Sequence, residues 1–309
     1  MDYARRRFEE LWAEAVPYDL AKVYEARYEP YPPYIIFLRV LWERYKNDLD
    51  EIDHVDGARI RLTTFQTDGI GRAVRILDKY NGVLIADGVG LGKTFVGGEL
   101  LRRVIEDNRQ RALLIAPAAL RDGTWARFRD IHQLYMEVVS YEQLDNDAQL
   151  GGGTGTALKQ SPNDYALIVV DEAQAFRNPD TDRARALRKL LHGKPPKKLV
   201  LMSATPVNNS LWDLYYLLTY FARQDATFAD IGITSLKERF TNAMHLDPDD
   251  LKPDVLFDIL DATTVRRTRH FVQRYYPNDR VKLSDGLTRF IHDLEDTKGL
   301  FCYKHVAET

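Results

Sequence analysis

Five residues of this chain have the types and spacing of a phosphate-binding loop: Gly88, Gly90, Gly92, Lys93 and Thr94. The apolar segment before them predicts a buried strand, and the segment after them predicts a helix. Glycines allow backbone N–H groups to converge on anionic oxygens, and the positive end of the helix dipole adds to the attraction. We expect Lys93 to reach the β- and γ-phosphates of a nucleoside triphosphate and the Thr94 hydroxyl to bind Mg²⁺.

A second group with chemical potential is the carboxylate pair Asp171 and Glu172, which follows the apolar residues 167–170. Adjacent carboxylates at the carboxyl end of a central strand, in a chain with a phosphate loop, predict a division of roles. We expect Asp171 to hold the Mg²⁺ shell and Glu172 to position and deprotonate the attacking water. An Asp-Glu pair by itself usually marks a solvated strand end, so the prediction depends on its position after the phosphate loop.

Short apolar segments predict the strands that would position these groups. They cover residues 83–86, 112–116, 135–140, 166–171 and 199–203. Most are separated by segments of helix length, which is typical of a parallel sheet covered by helices on both faces. The sequence therefore predicts an α/β fold.

Other segments have different patterns. A helix is expected after Pro179, with acidic residues early and a histidine and a glycine at its end. The glycine-rich segment 145–164 fits no element and is expected to be a mobile surface loop. From Ser210 onward the pattern is helical, with further helical segments near 235–245 and over 254–276.

Composition sets limits on the class of protein. The chain has 309 residues, of which 45% are hydrophobic and 29% charged, as in a soluble globular protein. Its net charge of −3 gives no general attraction to nucleic acid, so any such binding must come from local patches. The single cysteine, Cys302, excludes an internal disulfide and fits a reducing compartment, so we expect a cytoplasmic protein. No apolar run is long enough to span a bilayer, and no membrane partner is expected.

Further segments with recognisable patterns occur in order along the chain, before and after the phosphate loop and the Asp171–Glu172 pair. They are Phe65-Gln66 and residues 116–120, 139–142, 171–178, 203–209 and 265–269. Together with the phosphate loop, they resemble the motifs of the first RecA-like lobe of a superfamily 2 helicase-type ATPase, and within it of the Swi/Snf-like DNA translocases. The resemblance covers residues 60–276 and implies a RecA-like, three-layer α/β/α arrangement around a parallel sheet. In that family an aspartate often stands at the position of Asp87, where the strict phosphate-loop pattern has glycine.

The resemblance implies roles for individual residues. Gln66 would read adenine through its amide. Residues 171–178 resemble motif II, in which Gln174 replaces the commoner histidine and joins Lys93, Asp171 and Glu172 among the catalytic residues. In residues 203–209, which resemble motif III, Ser203 and Thr205 would couple ATP hydrolysis to movement. The residues that would contact nucleic acid are Pro117, Ala118, Ser140, Tyr141, Arg266 and Arg267.

The resemblance also suggests a domain organisation. Residues 1–55 would be a helical extension or linker, 56–209 the ATP-binding lobe and 210–276 a helical protrusion with a basic closing segment. Residues 277–309 match no known pattern. Bacterial helicases with a phospholipase-D-like region ahead of this lobe are also similar, and residues 17–50 would then be the trailing linker. A second RecA-like lobe, which would carry the arginine fingers, is expected in cis or in trans.

The leading hypothesis is therefore a Mg²⁺-dependent, nucleic-acid-stimulated ATPase lobe of a DNA translocase, with duplex DNA as the favoured partner. One alternative is a lobe of a strand-separating helicase of the DEAD/DEAH kind, which Ser203-Ala204-Thr205 would suit. The end of motif III and its continuation, Asn208 to Trp212, and the arginines near Arg266 favour the translocase. Another alternative is a module that binds ATP and DNA without turnover on its own.

Overall fold

The computed structural model describes residues 60–193, 195–246, 254–282 and 288–291. The predicted helical extension over residues 1–55, with the linker proposed for residues 17–50, lies outside these ranges. Most of the predicted tail also lies outside them.

A parallel sheet of six strands forms the centre of the described residues, in the order β3-β2-β4-β5-β1-β6. The strands are β1 Gly82–Ile85, β2 Arg111–Ala116, β3 Glu137–Ser140, β4 Tyr165–Val170, β5 Lys198–Met202 and β6 Thr264–Val265. Strands β1 and β5 are almost completely buried, because helices cover both faces of the sheet. Each of the five predicted strands overlaps an observed one, and the predicted α/β fold is confirmed.

Nine helices of five or more residues with regular α geometry are found among the described residues. They are α1 Thr64–Tyr80, α2 Lys93–Arg102, α3 Ala126–His132, α4 Tyr141–Asp145, α5 Asp182–Leu191, α6 Leu211–Leu218, α7 Leu236–His245, α8 Asp254–Thr263 and α9 Arg269–Tyr275. Shorter or irregular turns of helix are Arg103–Asp107, Ala118–Leu120, Arg121–Trp125, Ala148–Leu150, Pro162–Asp164, Ala173–Phe176 and Ala229–Ile231. The helix expected after Pro179 is α5, and it begins after Thr181, whose hydroxyl accepts a hydrogen bond from the N–H of Ala184.

The segment predicted as one helical stretch over residues 254–276 is interrupted. Helix α8 ends at Thr263, and the next two residues form β6 beside β1 before α9 begins. The chain therefore returns to the sheet between the two helices. This short strand brings the basic residues that follow it to the carboxyl edge of β1, where the phosphate loop starts.

The glycine-rich segment 145–164 contains a defined set of hydrogen bonds, and its mobility stays a prediction. Asp147 is buried, and its two carboxylate oxygens accept hydrogen bonds from the N–H groups of Gln149 and Leu158, each at 2.9 Å. The N–H of Gly155 donates to the carbonyl of Asn146 at 2.9 Å. One buried carboxylate therefore organises a loop that has no strand or α-helix of its own.

Near the end of the described residues, β7 Arg280–Lys282 pairs with β8 Thr288–Phe290 in a two-stranded antiparallel sheet. The carboxylate of Asp279 accepts a hydrogen bond from the N–H of Phe65 at 3.1 Å, which joins this region to the start of α1. Within the described part of the chain, no helix is both long and apolar enough to cross a membrane.

Candidate nucleotide-binding site

The phosphate loop (residues 87–94) connects β1 to α2. Gly90 and Gly92 have φ angles of +83° and +77°, a left-handed conformation that glycine adopts without steric cost. Helix α2 begins at Lys93, so its N-terminal N–H groups lie at the end of the loop. The Lys93 ammonium donates to the backbone carbonyl of Asp87 at 3.1 Å and therefore lies over the loop. The loop, the lysine and Thr94 thus lie together at the start of α2, and their contact with a nucleotide stays a prediction.

Gln66, the predicted adenine reader, is buried next to the loop. Its Nε2 donates to the carbonyl of Leu91 at 3.4 Å, and its Oε1 accepts from the N–H of Thr63 at 3.1 Å. The side chain therefore links the start of α1 to the phosphate loop. Its contact with adenine stays a prediction.

Asp171 lies at the carboxyl end of β4, and neutral donors hold its carboxylate. The indole Nε1 of Trp125 donates to Oδ2 at 2.8 Å, and the N–H of Glu172 donates to Oδ1 at 3.0 Å. Burial raises the pKa of the Asp171 carboxyl, and the nearby charge of Glu172 acts in the same direction; the Trp125 hydrogen bond and the charge of Lys93 oppose the rise. The position of Asp171 near Lys93 places a carboxylate beside the phosphate loop.

This donor set fits Mg²⁺. The ion prefers oxygen ligands, and it is usually bound through one or two carboxylates together with substrate phosphates. Thr94 would supply a hydroxyl oxygen, and Asp171 would supply a carboxylate whose oxygens each keep a lone pair beyond the single hydrogen bond described. In the described part of the chain, no group of three or more His, Cys, Asp or Glu side chains is placed to hold a metal alone. Waters and substrate phosphates would supply the other ligands.

A row of hydrogen bonds connects motif II to motif III. Gln174 donates from Nε2 to Glu172 Oε2 at 2.7 Å, and its Oε1 accepts from the Ser203 hydroxyl at 2.7 Å. The Ser203 oxygen accepts in turn from the N–H of Thr205 at 3.1 Å. Gln174 can bridge the two motifs because its amide both donates and accepts. The structure thus joins the predicted catalytic pair Glu172 and Gln174 to the predicted coupling residues Ser203 and Thr205.

Glu172 has an unusual backbone. Its φ of +49° lies in the left-handed region, which costs a residue with a side chain about 1 kcal/mol or more. The side chain is half-buried and faces Gln174. The surrounding hydrogen bonds hold this conformation, which turns the chain sharply after β4.

Two residues predicted to contact nucleic acid are instead interior. Ser140 is buried, and its hydroxyl accepts from the N–H of Gln143 at 3.2 Å at the start of α4. Tyr141 is also buried, and its hydroxyl donates to the backbone carbonyls of Asp171 and Glu172, the second at 3.0 Å. Burial raises the pKa of Tyr141, so the side chain stays a neutral donor. The prediction is wrong for these two side chains, because the strand-to-helix turn points them into the core.

The arginines of the basic closing segment (residues 265–269) lie in different environments. Arg266 is exposed, as a nucleic-acid contact requires, but Arg267 is buried against the Asp87 carboxylate, and its predicted contact with nucleic acid is wrong. Arg269 donates to the carbonyl of Val89 in the phosphate loop, from two nitrogens at 3.0 and 3.2 Å. The closing segment therefore contacts the phosphate loop directly. Pro117 and Ala118, at the start of a short helix, are half-buried, and their contact stays a prediction.

The role of Trp125 and the partner of Asp87 were not predicted from the sequence. The sequence does indicate that Asp87 needs a partner, because an aspartate at a position where the strict pattern has glycine brings a charge close to a buried strand. A buried carboxylate needs a cation or several donors nearby. The arginines of the closing segment were the candidates.

The residues after motif III are held by one carboxylate. Asp213, at the start of α6, accepts from the N–H groups of Asn208 and Asn209 at 3.0 and 2.9 Å. Burial favours the protonated form of Asp213, but these hydrogen bonds outweigh it and lower the pKa of the group. Arg177, which follows motif II, approaches the same carboxylate at 4.0 Å. The continuations of motifs II and III thus meet at Asp213.

The similarity of the chain to known proteins agrees with this arrangement of the candidate nucleotide site. Residues 137–285 match the model of the SNF2-related domain. The chain is 29% identical over 204 residues to the SWI/SNF-related matrix-associated actin-dependent regulator of chromatin subfamily A-like protein 1 of Xenopus laevis, over 60% of this chain and 20% of that protein. It is 25% identical over 241 residues to the DNA repair and recombination protein RAD54-like of Drosophila persimilis, over 64% of this chain and 29% of that protein.

Among solved structures, the SWI2/SNF2 ATPase core of Sulfolobus solfataricus in complex with dsDNA is similar in fold. The TM-score is 0.52 at 20% sequence identity, over 71% of this chain and 47% of that chain. The chain thus spans less than half the length of each of these relatives. In sequence, the chain is therefore similar to Swi/Snf-type proteins over part of its length. The structural match confirms the RecA-like α/β fold.

Proposed function

We propose that this chain is the ATP-binding lobe of a Swi/Snf-like DNA translocase that hydrolyses ATP. The observation that supports this most is the continuous hydrogen-bonded set at the carboxyl edge of the sheet. It runs from Glu172 through Gln174 to Ser203, and it lies next to Asp171 and the phosphate loop. A solvated strand end would not need this set, whereas an ATPase needs its phosphate site, base and coupling residues connected.

In the proposed reaction, the phosphate loop binds the triphosphate. Its N–H groups and the Lys93 ammonium contact the β- and γ-phosphates, and Gln66 contacts adenine. Thr94 and Asp171 would hold Mg²⁺, and the ion would supply positive charge for the phosphate oxygens. Trp125 restrains the Asp171 carboxylate through the hydrogen bond from its indole N–H.

Glu172 then accepts a proton from the attacking water at a carboxylate oxygen. Gln174 fixes the orientation of this carboxylate through its bond to Oε2, which leaves Oε1 for the water. Because Gln174 also binds the Ser203 hydroxyl, a change at Glu172 on loss of the γ-phosphate would reach motif III directly. This is the proposed route by which hydrolysis is coupled to movement.

Duplex DNA is the proposed partner. Support comes from the solved neighbour, which is in complex with dsDNA, and from the DNA repair and recombination relative. After removal of the interior residues, the candidate contacts are Pro117, Ala118 and exposed Arg266. A second RecA-like lobe would supply arginine fingers, which are worth about 10³–10⁵ in kcat in related hydrolases.

The proposed organisation keeps 56–209 as the ATP-binding lobe and 210–276 as the protrusion and closing segment, with a helical extension before them. A bacterial protein with a phospholipase-D-like region ahead of residues 17–50 remains part of this proposal. A DEAD/DEAH-type helicase lobe is the second candidate, because Ser203-Ala204-Thr205 suits that class.

Nucleotide binding by the purified chain tests the proposal. We expect it to bind a fluorescent ATP analogue with Mg²⁺, and Lys93→Ala to weaken binding strongly, because the variant loses the cation aimed at the phosphates. Equal affinity in the two proteins would contradict the phosphate-loop assignment.

Titration with labelled nucleic acids separates the partner classes. We expect tighter binding to duplex DNA than to single-stranded DNA or RNA at the same salt concentration. A preference for single strands would favour the helicase alternative instead. Phosphate release measured with and without duplex DNA would then distinguish a motor lobe from a binding module.

A further inference from the structure

Arg267 and Asp87 form a buried, bidentate ion pair at the base of the phosphate loop. Asp87 is fully buried, and Arg267 is 6% exposed. The guanidinium donates from Nε to Oδ1 at 3.0 Å and from Nη2 to Oδ2. The backbone N–H of Arg267 also donates to Oδ1, at 2.9 Å. One residue therefore supplies three donors to a single carboxylate.

The same arginine is bonded to two further elements. Its backbone carbonyl accepts from the N–H of Gly88 at 3.0 Å, so it holds the first glycine of the phosphate loop. Its Nη1 donates to the carbonyl of Phe65, and the guanidinium lies 5.2 Å from the centre of the Phe65 ring. Arg267 thus connects the loop to the start of α1, beside Gln66.

Space for the guanidinium depends on Gly69 of α1. A Cβ atom at this position would overlap Nη1 of Arg267. Only glycine lets the helix pass over the arginine side chain without moving it. Gly69, Asp87 and Arg267 therefore form one structural unit, although the two charged residues are 180 positions apart in the chain.

The ion pair also bears on the charge of the anion site. The Lys93 ammonium bonds the backbone carbonyl of Asp87, while the carboxylate of the same residue is bonded to Arg267. An unpaired carboxylate here would repel phosphate oxygens and compete for Lys93. Bonded to Arg267, it does neither.

We propose that Arg267 is a positioning residue for nucleotide binding: it neutralises Asp87 and fixes the start of the phosphate loop, so that Lys93 and the loop N–H groups remain available for a triphosphate. This inference rests on the proposed ATP site. It assigns Arg267 a role within the nucleotide site in place of its predicted contact with nucleic acid.

A double-mutant cycle on the whole chain tests whether Arg267 neutralises Asp87. The probe is a fluorescent ATP analogue with Mg²⁺, and thermal melts report folding. We expect Arg267→Gln to weaken binding by about tenfold to a hundredfold, the effect of losing charge-assisted hydrogen bonds. Adding Asp87→Asn to this variant should recover much of the loss, because the repelling carboxylate is then gone. A loss that Asp87→Asn does not relieve would overturn the neutralising role.

Arg267→Lys keeps the charge but lacks the planar fork, and it decides the result if Arg267→Gln does not fold. We expect weaker analogue binding and faster hydrogen exchange over residues 86–92, with unchanged exchange over 166–170. Parent affinity in Arg267→Lys would overturn the inference. Arg185→Gln, which breaks the exposed pair of Arg185 with Asp182, is the matched control and should bind like the parent.

Lys93→Ala distinguishes a failure of the proposed ATP site from a failure of the proposed role of Arg267. If Lys93→Ala abolishes binding while the Arg267 variants bind like the parent, the ATP site stands and the inference fails. If the parent binds no analogue, or Lys93→Ala binds as the parent does, the proposed function fails and the inference falls with it.

Discussion

The two halves of the candidate nucleotide site are held in different ways. The phosphate loop is fixed by charge, through the buried pair of Asp87 and Arg267. Motif II is fixed by neutral donors, because Trp125 and Tyr141 hold Asp171 and its backbone. In the loop, an internal cation cancels an internal anion and leaves the net positive character of the site to Lys93. In motif II, the neutral donors orient the carboxylates without cancelling the charge that a metal and a proton need.

The largest effect is predicted for Glu172 of motif II, the carboxylate that is proposed to accept a proton from water. Glu172→Gln keeps the bond to Gln174 possible but cannot accept a proton from water. We expect nucleotide binding near that of the parent and a loss of about 10²–10⁴ in phosphate release. Phosphate release in a single turnover, with the protein in excess over ATP and duplex DNA present, checks this. A variant that releases phosphate at the parent rate would show that Glu172 is not the base.

A smaller effect is expected where a neutral donor holds the metal ligand. Trp125→Phe keeps the buried ring but removes the N–H that donates to Asp171. Outer-shell partners of this kind typically contribute about 10–100-fold to metal affinity, and we expect a loss in that range. Titration of Mg²⁺ against analogue binding measures it. Trp212→Phe, at a half-buried indole on α6, is the matched control; an equal loss in both variants would contradict the role of Trp125.

The same Mg²⁺ titration, repeated at lower pH, tests the direction of the pKa shift of Asp171. Burial raises the pKa of Asp171 above the value of 3.8 that is usual for aspartate, and Mg²⁺ binds the ionised form. Metal affinity should therefore fall as the pH decreases, beginning at a higher pH than for an exposed aspartate. Trp125→Phe removes a bond that favours the ionised form, so its fall should begin at a still higher pH. A profile identical to that of the parent would contradict this.

The smallest effect is expected for the backbone of motif II. Tyr141→Phe removes the hydroxyl that donates to the carbonyls of Asp171 and Glu172. We expect the free energy of unfolding to fall by about 1 kcal/mol, measured by urea denaturation. Tyr135→Phe, at a side chain that is 90% exposed, should change stability by less than about 0.5 kcal/mol. If the two variants were equally stable, the Tyr141 hydroxyl would contribute nothing to holding motif II.

The sequence by itself determined the sheet and the centre of the site. Strands such as β1 and β4 are short apolar runs, and the phosphate loop is a local pattern of glycines before a helix. Both depend on neighbours in the chain, so residue order is enough to predict them. The pairing of Asp171 and Glu172 at the end of β4 was predicted for the same reason.

Only the tertiary structure decided which polar side chains face inward. Ser140, Tyr141 and Arg267 are polar residues that could contact nucleic acid, yet each side chain is buried. Ser140 accepts a hydrogen bond at the start of α4, whereas Tyr141 and Arg267 are bonded to other parts of the lobe. The partners of Tyr141 and Arg267 lie far away in sequence, and the return of the chain to the sheet as β6 brings Arg267 to Asp87. Residue order carries little information about such long-range contacts, because they depend on how the strands are arranged in space.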